Sequence, residues 1–159
     1  MCFRMEYTGN QLAVFKNSRT ISKTQMQLIA KEIHFSETTF IMSDSTKNGG
    51  YDVHIFTPNE EIPFAGHPTL GTAYVIQNEI LDGSSDLVNL NYKSGQISVS
   101  FDYQEDVLWM TQNEPTFGQV LKINKVSDVL NIDKEYIDDR FPIQEVSTGL
   151  PVIIVPLKS

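Results

Sequence analysis

One predicted helix constrains the fold of this chain more than any other feature, because it has no wide charged face. The segment runs from Pro68 to about Asn78, and its small residues Gly71 and Ala73 allow neighbours to approach closely. A helix that is apolar nearly all round must be buried. The strands before and after it are therefore expected to enclose it.

Short strands dominate the rest of the chain. They are apolar or β-branched, and turn residues bound them. The predicted strands are Leu12–Phe15, Thr39–Met42, Tyr51–Phe56, Leu87–Tyr92, Gln96–Phe101, Val107–Thr111 and Val152–Val155. The links at Lys93–Gly95 and Gln104–Asp106 predict hairpins, and hence an antiparallel sheet with a polar outer face. Many short strands around one buried helix predict an α+β fold with a mostly antiparallel, barrel-like curled sheet.

Further helices are predicted at the surface. Ser22 and Gln25 have the spacing of a capping box, and an apolar stripe of Met26, Ile29, Ala30 and Ile33 follows. That helix should lay its stripe on the sheet. Segments 127–131 and 134–139 are predicted as short peripheral helices. No linker, low-complexity tract or internal repeat is present, so residues 1–159 are interpreted as one domain.

Composition indicates which cellular compartment and which kinds of partner are expected. The formal net charge is -8, and no Lys/Arg run is present to neutralise phosphates, so nucleic acid is not an expected partner. The single cysteine, Cys2, permits neither an intrachain disulfide nor a Cys/His metal cluster. No signal pattern or apolar span of membrane length is present. A soluble cytoplasmic protein without a bound metal or membrane partner is expected.

The start of the central helix predicts an anion site. The sequence Gly66-His67-Pro68 opens this helix, whose first amides have no acceptor within it. Those amides and the positive end of the helix dipole favour a bound anion, and His67 stands beside them as a donor or titratable group. The alternative is that His67 only caps the helix or fills a polar gap.

Glu37 and Asn10 are the other candidates. Glu37 lies between a predicted helix and a strand, with Phe35 and Phe40 on either side. Partly apolar surroundings disfavour a charged carboxylate and suit it to accept and return a proton. The alternative is an exposed loop glutamate. Asn10 could bind a carboxylate through its amide, although Gly9-Asn10 before a strand is also an ordinary turn.

Four sequence blocks, taken together and in order, resemble the PhzF-like family of phenazine biosynthesis. The blocks are Gly9-Asn10-Gln11-Leu12-Ala13-Val14-Phe15, Ser36-Glu37-Thr38-Thr39-Phe40, Ile55-Phe56-Thr57-Pro58, and Pro63-Phe64-Ala65-Gly66-His67-Pro68-Thr69-Leu70-Gly71-Thr72-Ala73. A weaker match continues to Thr148-Gly149-Leu150-Pro151. The resemblance implies a diaminopimelate epimerase-like fold, in which each domain is a sheet wrapped around a central helix.

The resemblance also implies a function. It implies an isomerase without a cofactor, in which Glu37 moves a proton on a small conjugated carboxylic acid. Gly66 and His67 match a pair that contacts substrate, and Asn10 matches a position near the substrate's acid group. The two-cysteine epimerases of this fold carry a catalytic cysteine where this chain has Ala65, so a two-thiol racemase is excluded.

The resemblance covers the first of two similar domains. Family members place the active site in the cleft between those domains, so residues 1–159 are expected to act with a second domain or a partner chain. The alternative is a truncated half that catalyses nothing and serves as a carboxylate-binding or self-associating module. A one-base epimerase of an amino acid, using Glu37, also stays open.

Overall fold

Short strands and helices build the chain in the computed structural model, which describes residues 9–158. Cys2 lies outside the described residues. The strands are β1 (Leu12–Phe15), β2 (Glu37–Ile41), β3 (Tyr51–Phe56), β4 (Glu61–Ile62), β5 (Leu87–Tyr92), β6 (Gly95–Asp102), β7 (Val107–Thr111), β8 (Thr116–Val120), β9 (Gln144–Ser147) and β10 (Pro151–Ile154). The α-helices are α1 (Lys23–Ile33), α2 (Gly66–Glu79) and α3 (Ile123–Leu130), and 3₁₀ turns cover Ser18–Thr20 and Lys134–Tyr136.

The described residues divide into two compact units. The first unit ends at Gln112 and the second begins at Asn113. The sequence contains no composition change at this point, which is why it favours one domain. The assignment of residues 1–159 to a single domain of the family stays a prediction.

The first unit contains a curled mixed sheet. Its strand order is β1-β2-β3-β5-β6-β7, with β4 paired to β3. Both predicted hairpins are present, because β5 pairs with β6 and β6 with β7 in antiparallel fashion. Two pairings, β1 with β2 and β3 with β5, are parallel. These two join strands that are separated by a helix, and a helical crossover returns the chain in the same direction.

Helix α2 packs on the inner face of this sheet. Ala73 and Ile76 of α2 are fully buried against strand residues that include Ile41, Val53 and Leu90. The prediction of a curled sheet around a buried central helix is confirmed, although Tyr74 of this helix is 56 % exposed. The sheet is a half-barrel, so it covers one face of the helix.

Helix α1 packs on the outer face of the sheet. The predicted capping box is present, since the Ser22 hydroxyl accepts from the Gln25 amide and the Gln25 side chain accepts from the Ser22 amide. The buried stripe of α1, Met26 and Ala30, contacts Phe40. These contacts leave α1 as the surface helix that the sequence predicts.

The second unit is a small sheet with helix α3. Its strand order is β10-β9-β8, and both pairings are antiparallel. The sequence predicts only the last strand, at 152–155, and misses β8 and β9. Helix α3 begins four residues before the predicted start, and the segment predicted as a second helix forms only a 3₁₀ turn. Asp138 and Arg140 form a bidentate ion pair in this unit.

Candidate active site

Glu37 and His67 face each other at one end of the first unit. The Glu37 Oε2 and His67 Nε2 atoms lie 3.3 Å apart, and the two side chains are 18 % and 30 % exposed. The alignment is not that of a hydrogen bond, and neither buried atom has a hydrogen-bond partner in the structure. Buried polar atoms are normally paired. Two such atoms side by side, without a hydrogen bond to each other or to a neighbour, define the candidate site.

Strand β2 directs Glu37 towards helix α2. Alternation along the strand places Glu37, Thr39 and Ile41 on the inner face of the sheet. The Thr39 and Thr72 hydroxyls form a buried hydrogen bond of 2.8 Å between β2 and α2. This bond lies two residues from Glu37 and five from His67. It holds the strand and the helix at the spacing that brings the carboxylate and the imidazole together.

The first turn of α2 leaves amides free for a ligand. Ala65 occupies the N-cap position, where its methyl group cannot accept a hydrogen bond. Pro68 has no N–H, and the Thr69 amide donates to the Ala65 carbonyl over 3.3 Å. Helix geometry leaves the amides of Gly66 and His67 without an acceptor inside the helix. The predicted anion-binding end of α2 thus lies next to the Glu37 carboxylate.

Neither the backbone conformation nor the packing requires a glycine at position 66. A methyl group built on Gly66 would come 3.9 Å from the Cε atom of Met110, which is ordinary van der Waals contact. Glycine is otherwise favoured where another backbone or a ligand approaches closely. Its presence here keeps space open beside the free amides.

Asn10 lies at the same edge of the sheet but does not join the pair. It is exposed, two residues before β1, and Leu12 is in register with Glu37 across the parallel β1–β2 pair. No hydrogen bond from Asn10 to Glu37 or His67 is present among residues 9–158. Its predicted contact with a substrate acid group stays a prediction, as do the predicted roles of Glu37, Gly66 and His67.

A glutamate that the sequence did not single out forms a second polar centre. His54 of β3 lies on the outer face of the sheet with its Nδ1 atom 2.6 Å from Glu61 Oε1. A cavity of about 690 Å³ opens beside it, with Arg19, Lys47 and Lys93 in its wall. Neither Glu37 nor His67 lines this cavity. Sequence spacing gave no signal for the Glu61 contacts, since they join four separate elements.

Across residues 9–158, no group of three His, Cys, Asp or Glu side chains has a metal-binding arrangement. Within the same range, no helix has both the length and the apolar character needed to cross a membrane.

A family model described as phenazine biosynthesis-like protein matches residues 4–159. The chain belongs to this PhzC-PhzF family. The match confirms the family that the four sequence blocks indicate, and it spans both compact units.

Relatives of this PhzC-PhzF chain carry isomerase names. An uncharacterised isomerase of Pasteurella multocida is 35 % identical and aligns with 79 % of this chain and 46 % of its own length. A trans-2,3-dihydro-3-hydroxyanthranilate isomerase of Pseudomonas chlororaphis is 33 % identical, over 95 % of this chain and 52 % of its own length. The chain therefore spans about half the length of the relatives it matches.

Solved structures confirm the fold class of this family member. A predicted epimerase from Pseudomonas aeruginosa has a TM-score of 0.83 at 26 % identity, covering 98 % of this chain and 56 % of that protein. A hydroxyproline epimerase from Agrobacterium vitis has a TM-score of 0.58 at 8 % identity, over 85 % and 40 % of the two chains. The second likeness concerns the fold alone. The α+β epimerase-like fold predicted from the sequence is confirmed.

Proposed function

We propose that this chain is the part of a PhzF-type isomerase that carries the proton-transferring group. Glu37 acts as the general acid and base on a small conjugated carboxylic acid. Gly66 and His67 hold the acid group of the substrate, and Asn10 assists them. The reaction uses no cofactor, and a second domain or a partner chain completes the site.

One observation carries this proposal. Glu37 Oε2 and His67 Nε2 are buried, 3.3 Å apart, and without hydrogen-bond partners, next to the free amides of α2. A purely structural glutamate in such a place would normally be paired. The relatives named as isomerases support a reaction of the same class.

The proposed chemistry follows from a single carboxylate. Glu37 removes a proton from one carbon of the substrate, and the released electron pair moves into the conjugated system. Glu37 then returns that proton to another carbon, so substrate and product have the same composition. Positive potential at the start of α2 favours the substrate's carboxylate and the negative charge that builds up during the transfer.

The test is turnover in the completed protein. The chain is mixed with the part of the Pseudomonas chlororaphis isomerase that it does not match. That enzyme's substrate is added, and the rate of isomerisation is measured. We expect isomerisation that Glu37→Gln slows by roughly several hundredfold, the scale of general acid–base catalysis. The matched control, Glu32→Gln, changes an exposed glutamate of α1 and should leave the rate unaltered. Retained turnover in Glu37→Gln would refute the role of Glu37.

A second candidate function is a binding module without catalysis. It is favoured by the start of α2, where the N-cap Ala65 makes no side-chain hydrogen bond and the first amides can bind an anion whether or not Glu37 transfers a proton. In this version the start of α2 binds small carboxylates weakly, and Glu37 contributes nothing. Calorimetry with acetate, together with the turnover test, separates the two functions. The binding module predicts the same acetate affinity in the parent chain and in Glu37→Gln, and no turnover in the mixed protein.

A further inference from the structure

Three basic side chains converge on the carboxylate of Glu61. Lys93 Nζ lies 2.6 Å from Oε2, and His54 Nδ1 lies 2.6 Å from Oε1. Lys23 Nζ of α1 lies 3.2 Å from Oε2. Glu61 therefore connects β4, β3, α1 and the turn between β5 and β6. The Glu61 side chain is only 14 % exposed, so these contacts are partly shielded from solvent.

The carboxylate stays ionised over the whole physiological range. Burial is the largest single influence and would raise the pKa of Glu61. Hydrogen bonds from Lys93, His54 and Lys23 together outweigh burial and lower this pKa to about 2. The negative charge that attracts Lys93, His54 and Lys23 is thus present at physiological pH.

The residues after Glu61 have two more contacts with the same hairpin turn. The Ser94 hydroxyl donates to the Pro63 carbonyl over 3.2 Å, and the Phe64 and Tyr92 rings form a T-shaped contact with 6.3 Å between centroids. Strand β4 itself has only two residues in register with β3. So short a strand is weak alone. Side-chain contacts hold the segment that leads into α2.

We propose that Glu61 is a positioning residue, which fixes the 61–65 segment so that the amides of Gly66 and His67 point at a bound anion. This inference rests on the proposed function, because both use the anion site at the amides of Gly66 and His67. Holding donors in place before binding reduces the ordering cost that a ligand otherwise meets. Loss of the Glu61 carboxylate should therefore loosen the start of α2 and weaken anion binding there.

The test combines backbone order with ligand affinity. Nuclear magnetic resonance relaxation gives order parameters for the Gly66 and His67 amides, and a titration of the same amides with acetate gives its affinity. In Glu61→Gln we expect the order parameters to fall from about 0.85 towards 0.6. We expect acetate affinity to fall by about tenfold, a drop of the size that lost preorganisation produces.

A matched control and a milder variant keep the test decisive. Glu79→Gln also removes one carboxylate from an ion pair, with Lys16 at 2.7 Å, but at the opposite end of α2. Glu79→Gln should change neither the order parameters of the Gly66 and His67 amides nor the acetate affinity. Lys93→Met removes one of the three donors and should give a smaller effect of the same sign, which covers the case in which Glu61→Gln fails to fold.

The outcomes separate the two proposals. Unchanged order parameters at Gly66 and His67 in both Glu61→Gln and Lys93→Met would overturn the positioning role. Lower order parameters together with weaker acetate binding would support it. Lower order parameters in a protein whose parent form does not bind acetate at these amides would refute the anion site, and would leave Glu61 as a positioning residue of the helix start.

Discussion

At the scale of single residues, the chain contains two glutamates in opposite situations. Glu37 has a buried oxygen without a hydrogen-bond partner, whereas Glu61 is surrounded by three basic groups. A carboxylate is stabilised by nearby donors, so Glu61 contributes to the fold. Glu37 Oε2 instead lies 3.3 Å from His67 Nε2 without a hydrogen bond. Under the proposed function, this difference leaves the Glu37 carboxylate for the substrate and gives Glu61 a role in the fold.

The ion pairs of Glu61 predict a pH-dependent stability. The pKa of Glu61 is about 2 in the folded protein and 4.5 in the unfolded chain. The stabilisation is therefore fully present above about pH 5 and is lost as the pH falls through 4.5 towards 2. Near pH 7, Glu61→Gln should lower the free energy of unfolding by on the order of 2 kcal/mol. Urea unfolding of both proteins should show this difference shrinking towards pH 3, and a difference independent of pH would contradict the assignment.

At the scale of elements, the relation of β2 to α2 determines the candidate site. The Thr39–Thr72 hydrogen bond is buried, so Thr39→Val should leave the Thr72 hydroxyl unpaired. We expect a loss of about 1–2 kcal/mol in the free energy of unfolding. The double variant Thr39→Val/Thr72→Val should lose less than the sum of the two single variants. Chemical unfolding of all four proteins measures this coupling, and strictly additive losses would mean that the bond contributes nothing.

The capping box at the start of α1 gives a second prediction at the scale of elements. Ser22→Ala removes the hydroxyl that accepts from the Gln25 amide at the start of α1. The expected cost is about 1 kcal/mol in the free energy of unfolding, typical of a lost N-cap. Thermal unfolding detects such a change. Ser84→Ala, at an exposed position between α2 and β5, is the control and should have no effect.

At the scale of the whole molecule, strand β10 has exposed apolar side chains on both faces. Val152, Ile153 and Ile154 are between 44 and 50 % exposed, and β10 is an edge strand of its sheet. Exposed apolar edge strands favour pairing with further chain. We predict that this chain associates with itself, or with the second domain proposed above, through β10.

Sedimentation over a range of concentrations checks this association. The mean mass should rise above the 18.0 kDa of one chain as concentration increases. Ile153→Lys should reduce the rise, because a charge on an edge strand opposes pairing. The control is Leu28→Lys at an exposed position of α1, which should not change the association. A constant monomer mass in the unaltered chain would contradict self-association through β10.

Local patterns were enough to predict most of the first unit. Short apolar or β-branched runs between turn residues located β1, β3, β5, β6 and β7, and the Ser22 capping box located α1, because such signals depend on neighbours in the chain. The second unit was harder. Strands β8 and β9 lack a strong apolar alternation, and they form because they pair with each other across more than twenty intervening residues.

Residue types and their order along the chain were sufficient to indicate the family, the fold class and the candidate residues Glu37 and His67. The distance between those two residues, the unpaired state of their facing atoms and the Glu61 contacts arise from strands and helices packing together. A sequence pattern records which face of a strand or helix a side chain occupies. It does not record which distant side chain lies opposite, because that depends on the packing of the complete fold.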